Sequence, residues 1–427
     1  MNFLLPIEIS SRELMAKLFM AHQFAMDGHV SYVGEKSNIL NLSKYVSPAM
    51  YFDKGYHKGV SEKSYTFLKK NGVSIVSLDE ENAIDFKDSQ QLNLRFPDEI
   101  LNEFDLIFLW GKKQYDFLFK NRKNFDPNKV VVSGHPRFEL LKSCYHKLYE
   151  NDIANYSSNY GDYILINTNF GLGNNVKSES DVINNYINRF PQVKNLIEYQ
   201  KMQVGNFISL AKLISKETSL NVVLRPHPEE SHDVYIKAFE TFPNIHVVYE
   251  GSVIPWIMAS RIMVHHDCTT SLEAAMLGKC SIAFAKDISQ QLTTDIPLKI
   301  SYYAESFKDV LDLIQTRTYN SNINKELLRD YFAFHEPSVI VIRENLKRLI
   351  TKDKKHNHLL LGFIFKNYIK SIVRFFFNKE SELFRQKFEG FNIEEARKII
   401  EVFNSINSVS INIEIVNKYL FKIYRKL

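Results

Sequence analysis

What most constrains this chain is an alternation of short apolar runs with segments of helical spacing, each run ending in polar or glycine-bearing residues. Phe3–Ile7 precedes a helix that starts at Ser10 or Ser11 and carries Leu14, Leu18, Ala21 and Ala25 on one face. Runs at 28–34, 50–53, 73–78, 106–110 and 129–134 continue the series. A second series follows at 163–169, 222–224, 245–248, 261–264 and 281–284, with a long helix predicted over Lys194–Glu217. Strands that alternate with helices pair parallel, because each crossover helix returns the chain to the same end of the sheet. The pattern predicts an α/β protein: two Rossmann-like domains facing across a cleft, plus a helical C-terminal extension.

At 427 residues the chain exceeds one ordinary core. The divisions expected are residues 1–150, 160–325 and 326–427, with the polar stretch Asn151–Gly161 as a linker. A net charge of +5 without an Arg-rich or aromatic basic motif argues against nucleic acid as partner. Three cysteines, Cys144, Cys268 and Cys280, lack CxxC spacing, which argues against a disulfide framework or a thiolate zinc site and for a reducing cytoplasm. The N-terminus lacks a basic leader region, and no apolar run approaches about 18 residues. Within 352–377, basic and aromatic residues interrupt an apolar stretch. Its two readings are a helix packed back on the domains and a peripheral contact with the inner membrane surface.

Chemistry concentrates where strands end. Arg225-Pro226-His227-Pro228 holds a cation and an imidazole beside prolines that stop the strand. Asp267-Cys268-Thr269-Thr270-Ser271 leads into the helix former Leu272–Leu277, closed by Gly278, and joins hydroxyls to free amides in an anion-binding pattern. Arg225, His227, Asp267, Thr269, Thr270, Ser271 and Glu273 are therefore the candidates for a nucleotide site; Glu273 reads either as an acceptor for ribose hydroxyls or as an ordinary first-turn acid favoured by the helix dipole. The turn Phe170–Asn175 carries a GxG but lacks the third glycine of a dinucleotide fingerprint. His265 and His266, adjacent on a strand, point to opposite faces and do not suit one metal. No metal or other cofactor is expected. In the first series, Asp79, Glu80 and Glu81 place three carboxylates at one strand exit, where reactions at an anomeric carbon need a base or a nucleophile; a solvated acidic loop is the alternative. His135, Arg137 and Glu139 form a further cluster, and Glu8 with Arg12 a weaker one.

With these segments the chain resembles bacterial surface-carbohydrate biosynthesis proteins of the GT-B type over residues 1–330. The carrying stretches are Pro6–Ile9 with Arg12–Leu14, Asp79–Glu81, Gly134–Glu139, Arg225–Pro228 and Asp267–Ala274. The last two are similar to segments of capsule Kdo transferases, polysialyltransferases and teichoic-acid polymerases that use CDP-glycerol. The resemblance implies a cytidine-nucleotide donor, with His227 and Thr269–Ser271 on its phosphate and Glu273 near the nucleoside. It also implies a carboxylate, Glu81 or Glu80, near the transferred sugar. His135 and Glu139 depart from the pattern, which carries Asn and Asp there. The function expected is transfer of a CMP-activated keto sugar, such as Kdo or a sialic-acid-like sugar, to a glycan or lipid-linked glycan acceptor. Its rivals are CDP-glycerol-type polyol-phosphate transfer, sugar-nucleotide epimerisation and a non-catalytic glycan- or nucleotide-binding module.

Overall fold

The computed structural model describes residues 1–80, 89–187, 191–316, 325–333, 336–350, 357–358, 362–363 and 391–426. In chain order the strands are β1 (Asn2–Ile7), β2 (Val30–Glu35), β3 (Val46–Ser47), β4 (Ala49–Asp53), β5 (Ser74–Leu78), β6 (Leu106–Leu109), β7 (Val130–Val132), β8 (Tyr163–Asn167), β9 (Asn221–Arg225), β10 (Ile245–Val247), β11 (Ile262–His265), β12 (Ser281–Phe284), β13 (Tyr302–Ala304), β14 (Asn357–His358), β15 (Ile411–Asn417) and β16 (Leu420–Arg425). They form two main sheets, ordered β15-β16-β2-β1-β4-β5-β6-β7 and β10-β9-β8-β11-β12-β13, and a short β14-β3 pair.

Two compact Rossmann-like units result. The first takes Met1–Glu80, Gln91–Leu148 and the chain from Leu328 onward; the second spans Tyr149–Leu327. From β2 to β7 the first sheet is parallel. The whole second sheet is parallel as well. Central strands β1 and β8 are buried at every position, as strands covered by helices on both faces must be.

The C-terminal chain returns to the first unit rather than standing as a third region. It carries helices Lys325–Tyr331, Ser338–Leu346 and Ile393–Asn407 and, beyond the helical expectation, a β-hairpin. Strand β16 adds antiparallel to β2, so the hairpin extends the first sheet. The close approach needs glycine at position 34, where a Cβ would lie 2.5 Å from the Tyr419 carbonyl oxygen. Helix Ser10–Met26 is consequently enclosed: its Leu18, Phe19, Ala21 and Phe24 share one core with sheet residues and with Ala396, Ile399, Ile400 and Phe403 of helix Ile393–Asn407. The second core packs helix Val193–Glu217 through Phe207, Leu210 and Ile214 against Ile164, Ile166, Val222 and Leu224.

One sequence expectation is corrected. Asn151–Gly161, read as a linker from its polar composition, lies in a helix, Glu150–Tyr160. Its single apolar contact line explains the misreading: Tyr156 stacks on Trp256 with ring centroids 3.6 Å apart while most of the helix faces solvent. No described helix is long and apolar enough to cross a membrane. Apart from 357–358 and 362–363, the 352–377 segment read as a membrane-surface candidate lies outside the described residues.

Candidate functional site

An open parallel sheet binds ligands outside the carboxyl ends of its strands, where the strand order reverses. In the second sheet this switch point falls between β8 and β11, because the chain leaves β8 for β9 and β10 on one side and later fills β11, β12 and β13 on the other. Two side-chain bridges join the exits: Asn169 Nδ2 donates to Asp267 Oδ1 at 2.6 Å, and Asn167 Nδ2 donates to Thr270 Oγ1 at 3.0 Å. Asp267 also accepts from the Thr294 amide at 2.9 Å. Of the three hydroxyls in the turn, Ser271 donates back to the Cys268 carbonyl and Thr270 to the Cys268 sulfur, while Thr269 is exposed. Glu273 is buried behind them.

The neighbouring β9 exit separates two residues that the sequence had grouped. Arg225 is buried and donates to the carbonyl oxygens of Glu250 and Gly251 at 2.6 and 3.1 Å, with its guanidinium over the rings of Tyr249 and Trp256. It holds the 249–251 turn through these two bonds. His227 is only half-buried. Its Nδ1 accepts from the Glu229 amide at 3.3 Å, so a neutral ring carries its proton on Nε2, the tautomer that donates to an anion. The glycine turn comes up against this ring: a Cβ at Gly171 would lie 3.1 Å from His227 Nδ1.

Sequence reasoning gave Glu230 no role, yet it joins the two exits. It is wholly buried, and its Oε1 accepts from Thr168 Oγ1 at 2.7 Å and from the Phe170 and His227 amides at 3.0 Å each. Its Oε2 accepts from Tyr235 at 2.5 Å. The available signal was the second of two carboxylates that follow the His-Pro turn. His265 and His266 diverge, the first bonding Ser301 and the second Tyr199 and the Phe284 carbonyl. Among the described residues no group of His, Cys, Asp or Glu is arranged to hold a metal ion.

In the first sheet the order reverses at β1, which pairs with both β2 and β4. An ionic network, largely buried but partly exposed at Glu8, lies at the exits of β1, β4, β5 and β7. Glu13 accepts from Lys54 Nζ at 2.7 and 2.8 Å, and Glu8 pairs with Lys54 and Lys36 at 3.2 and 3.0 Å. Glu80, about 1% exposed, sits 2.6 Å from Lys17 Nζ and 3.4 Å from His135 Nε2. Burial opposes ionisation of Glu80, but Lys17, His135 and Lys54 outweigh it and hold the carboxyl well below its ordinary range. At the partly exposed Glu8, desolvation also works against the charge, but Lys54 and Lys36 bring its pKa down to about 2. At His135 burial dominates and lowers the pKa, against the pull of Glu80.

The other carboxylates of the first unit separate by role. Asp79, a candidate base or nucleophile by sequence, is held by Arg95 in a bidentate pair at 2.6 and 2.9 Å. Glu139 accepts from Ser338 Oγ and the Val339 amide at 2.8 and 3.0 Å and so anchors the start of helix Ser338–Leu346. Glu81 lies outside the described residues. Lys17 and Lys54 were missed; the legible signal was a lysine on the apolar face of the first helix, one position before Leu18.

No known family pattern matches this sequence, and no curated relative does. Solved structures do match. A UDP-GlcNAc 2-epimerase from Methanocaldococcus jannaschii is 10% identical, covering 82% of this chain and all of its own, with a TM-score of 0.50. The Neisseria meningitidis UDP-GlcNAc 2-epimerase is 12% identical over 81% of this chain and 100% of its own, also at 0.50. A variant of the wall teichoic acid polymerase TagF is 10% identical over 82% of this chain and 90% of its own, at 0.51. The fold is GT-B-like. At these identities the likeness concerns architecture alone.

Proposed function

We propose that this protein is a nucleotide-sugar-dependent glycosyltransferase of surface-polysaccharide biosynthesis. It moves a CMP-activated keto sugar, such as Kdo or a sialic-acid-like sugar, onto a glycan or lipid-linked glycan acceptor. The observation that carries the reading is Glu80, a buried carboxylate kept anionic at the carboxyl edge of the first sheet. A carboxyl held well below its ordinary pKa range is poorly tuned for proton exchange near pH 7, and suits electrostatic stabilisation of the positive charge that develops at an anomeric carbon. On the second sheet, His227 Nε2–H and Thr269 donate to the donor phosphate as the nucleotide leaves, and Glu273 reaches toward the nucleoside. The acceptor binds the first unit. The M. jannaschii epimerase was solved with UDP-GlcNAc and UDP, and TagF was soaked with CDPG, which supports a nucleotide-linked donor here.

The test is turnover of purified protein with CMP-Kdo, CMP-sialic acid, CDP-glycerol and UDP-GlcNAc, with and without a glycan acceptor, followed by nucleotide release and product mass. Acceptor-dependent release of CMP, lost in His227→Ala, is expected. Transfer from CDP-glycerol would replace the sugar by a polyol phosphate, and acceptor-independent epimerisation of UDP-GlcNAc would remove transfer altogether. Nucleotide binding without any product would leave a non-catalytic module.

A further inference from the structure

We infer that Glu230 is the positioning residue of the second unit's ligand site: it locks the glycine turn and the His-Pro turn into one rigid clamp and thereby sets where His227 stands. The inference rests on the donor-site reading of His227. Oε1 of Glu230 receives three donors that belong to two different strand exits: Thr168 Oγ1 and the Phe170 amide after β8, and the His227 amide after β9. A single oxygen thus fixes the start of both turns. Its second oxygen takes the Tyr235 hydroxyl from helix His232–Phe239, so the carboxylate is itself held on a regular element.

The rest of the interface has the character of a zipper. The Val176 amide donates to the Glu229 carbonyl at 3.0 Å and the Ser231 amide to the Asn174 carbonyl at 2.8 Å, while Asn174 Nδ2 donates to the Ser231 carbonyl at 3.1 Å. On the far side, Gln200 Oε1 accepts from the Leu172 and Gly173 amides at 2.8 and 3.0 Å. A Cβ at Gly173 would lie 2.6 Å from the backbone nitrogen of Lys201, so glycine is required for that seat. A glycine turn bonded on both flanks is no mobile lid. Its glycines serve close packing, and the imidazole they pack against inherits its position from Glu230. Burying a carboxylate without a cation is costly unless each oxygen is hydrogen-bonded, and here three donors meet one oxygen and a phenol meets the other. The arrangement holds the backbone of His227 to within hydrogen-bond tolerance of the Phe170 turn, the kind of support a ligand-binding group requires.

The experiment compares Glu230→Gln, Glu230→Asp and Glu230→Ala with wild type and His227→Ala. Its readouts are CMP, CDP and UDP binding by calorimetry and backbone hydrogen exchange over 168–172 and 226–231. Gln keeps an acceptor oxygen, and its amide can donate to the Tyr235 oxygen once that hydroxyl turns, so it should bind within about threefold of wild type and keep amide protection. Asp keeps the charge but falls one methylene short. Asp and Ala should lose at least about tenfold in affinity and expose the Phe170 and His227 amides to exchange. Adding Glu230→Asp to His227→Ala should cost little more than His227→Ala alone, because one acts through the other. Full additivity, or unchanged amide protection in Glu230→Asp, overturns the inference. If Glu230→Ala does not fold, Asp and Gln decide alone. If His227→Ala binds nucleotide like wild type, the donor-site reading fails, and the exchange data still judge the clamp.

Discussion

Replacing Lys17 by Met gives the sharpest test of the ionic network in the first unit. Lys17 Nζ and Glu80 Oε1 lie 2.6 Å apart, each side chain about 1% exposed. Methionine keeps most of the volume of the lysine stem but leaves the carboxylate with only His135 and the charge of Lys54. Breaking a buried pair by removing one partner costs about 3–5 kcal/mol, which in a domain of this size is a fall in Tm of roughly 6–20 °C at pH 7.

The pH dependence provides the second half of the prediction. In the native protein burial pushes the Glu80 pKa up, but Lys17 and His135 depress it below its unfolded value, so its contribution is present above that value and is lost only as pH falls through the folded pKa. In Lys17→Met burial acts with far less opposition, and the folded pKa moves above the unfolded one. The folded variant then binds the extra proton, and its deficit relative to wild type should shrink as pH falls from 7 toward 5. Urea unfolding across that range measures both quantities. Adding Glu80→Gln to Lys17→Met removes the stranded charge and should recover most of the loss. A cost below about 1 kcal/mol at pH 7, or a deficit that does not change with pH, would refute the reasoning.

Three further outcomes follow from other contacts. Glu139→Ala should cost about 1–3 kcal/mol in urea unfolding, through the lost hold on Ser338 and Val339, while kcat per folded molecule stays unchanged; a large fall in kcat would return Glu139 to the catalytic candidates. His265 is buried, which with the nearby His266 pushes its pKa down to about 3, whereas the unfolded ring titrates near 6.5. Stability should therefore decline as pH falls below about 6.5, by about 2 kcal/mol per such histidine at pH 5, and His265→Asn should flatten the slope by that amount. Deleting residues 391–427 uncovers the β2 edge and the outer side of helix Ser10–Met26, so the truncated chain should aggregate on purification; a soluble monomer with unchanged Tm would contradict the packing.

The alternation of apolar runs and helical spacing was enough to predict the parallel sheets, because period and β-branched composition are local properties of the chain. The polar exits at Asp79–Glu80, Arg225–His227 and Asp267–Ser271 were legible for the same reason: a strand that ends in charge must end at the edge of its sheet. Local pattern could not say what each charged group meets there. Arg225 and His227 lie two residues apart, yet one is sealed against the Glu250 and Gly251 carbonyls and the other stands half-exposed against Gly171. Asp79 and Glu80 are adjacent, and the first belongs to Arg95 while the second belongs to Lys17 and His135. The hairpin that completes the first sheet was illegible because its strand β15 is only partly buried and alternates weakly. The sequence by itself determined the fold class and the strand ends where chemistry collects. Tertiary structure decided which of those charges are neutralised, which are positioned and by what, because a buried ion's partner comes from whichever distant strand or helix the topology brings beside it.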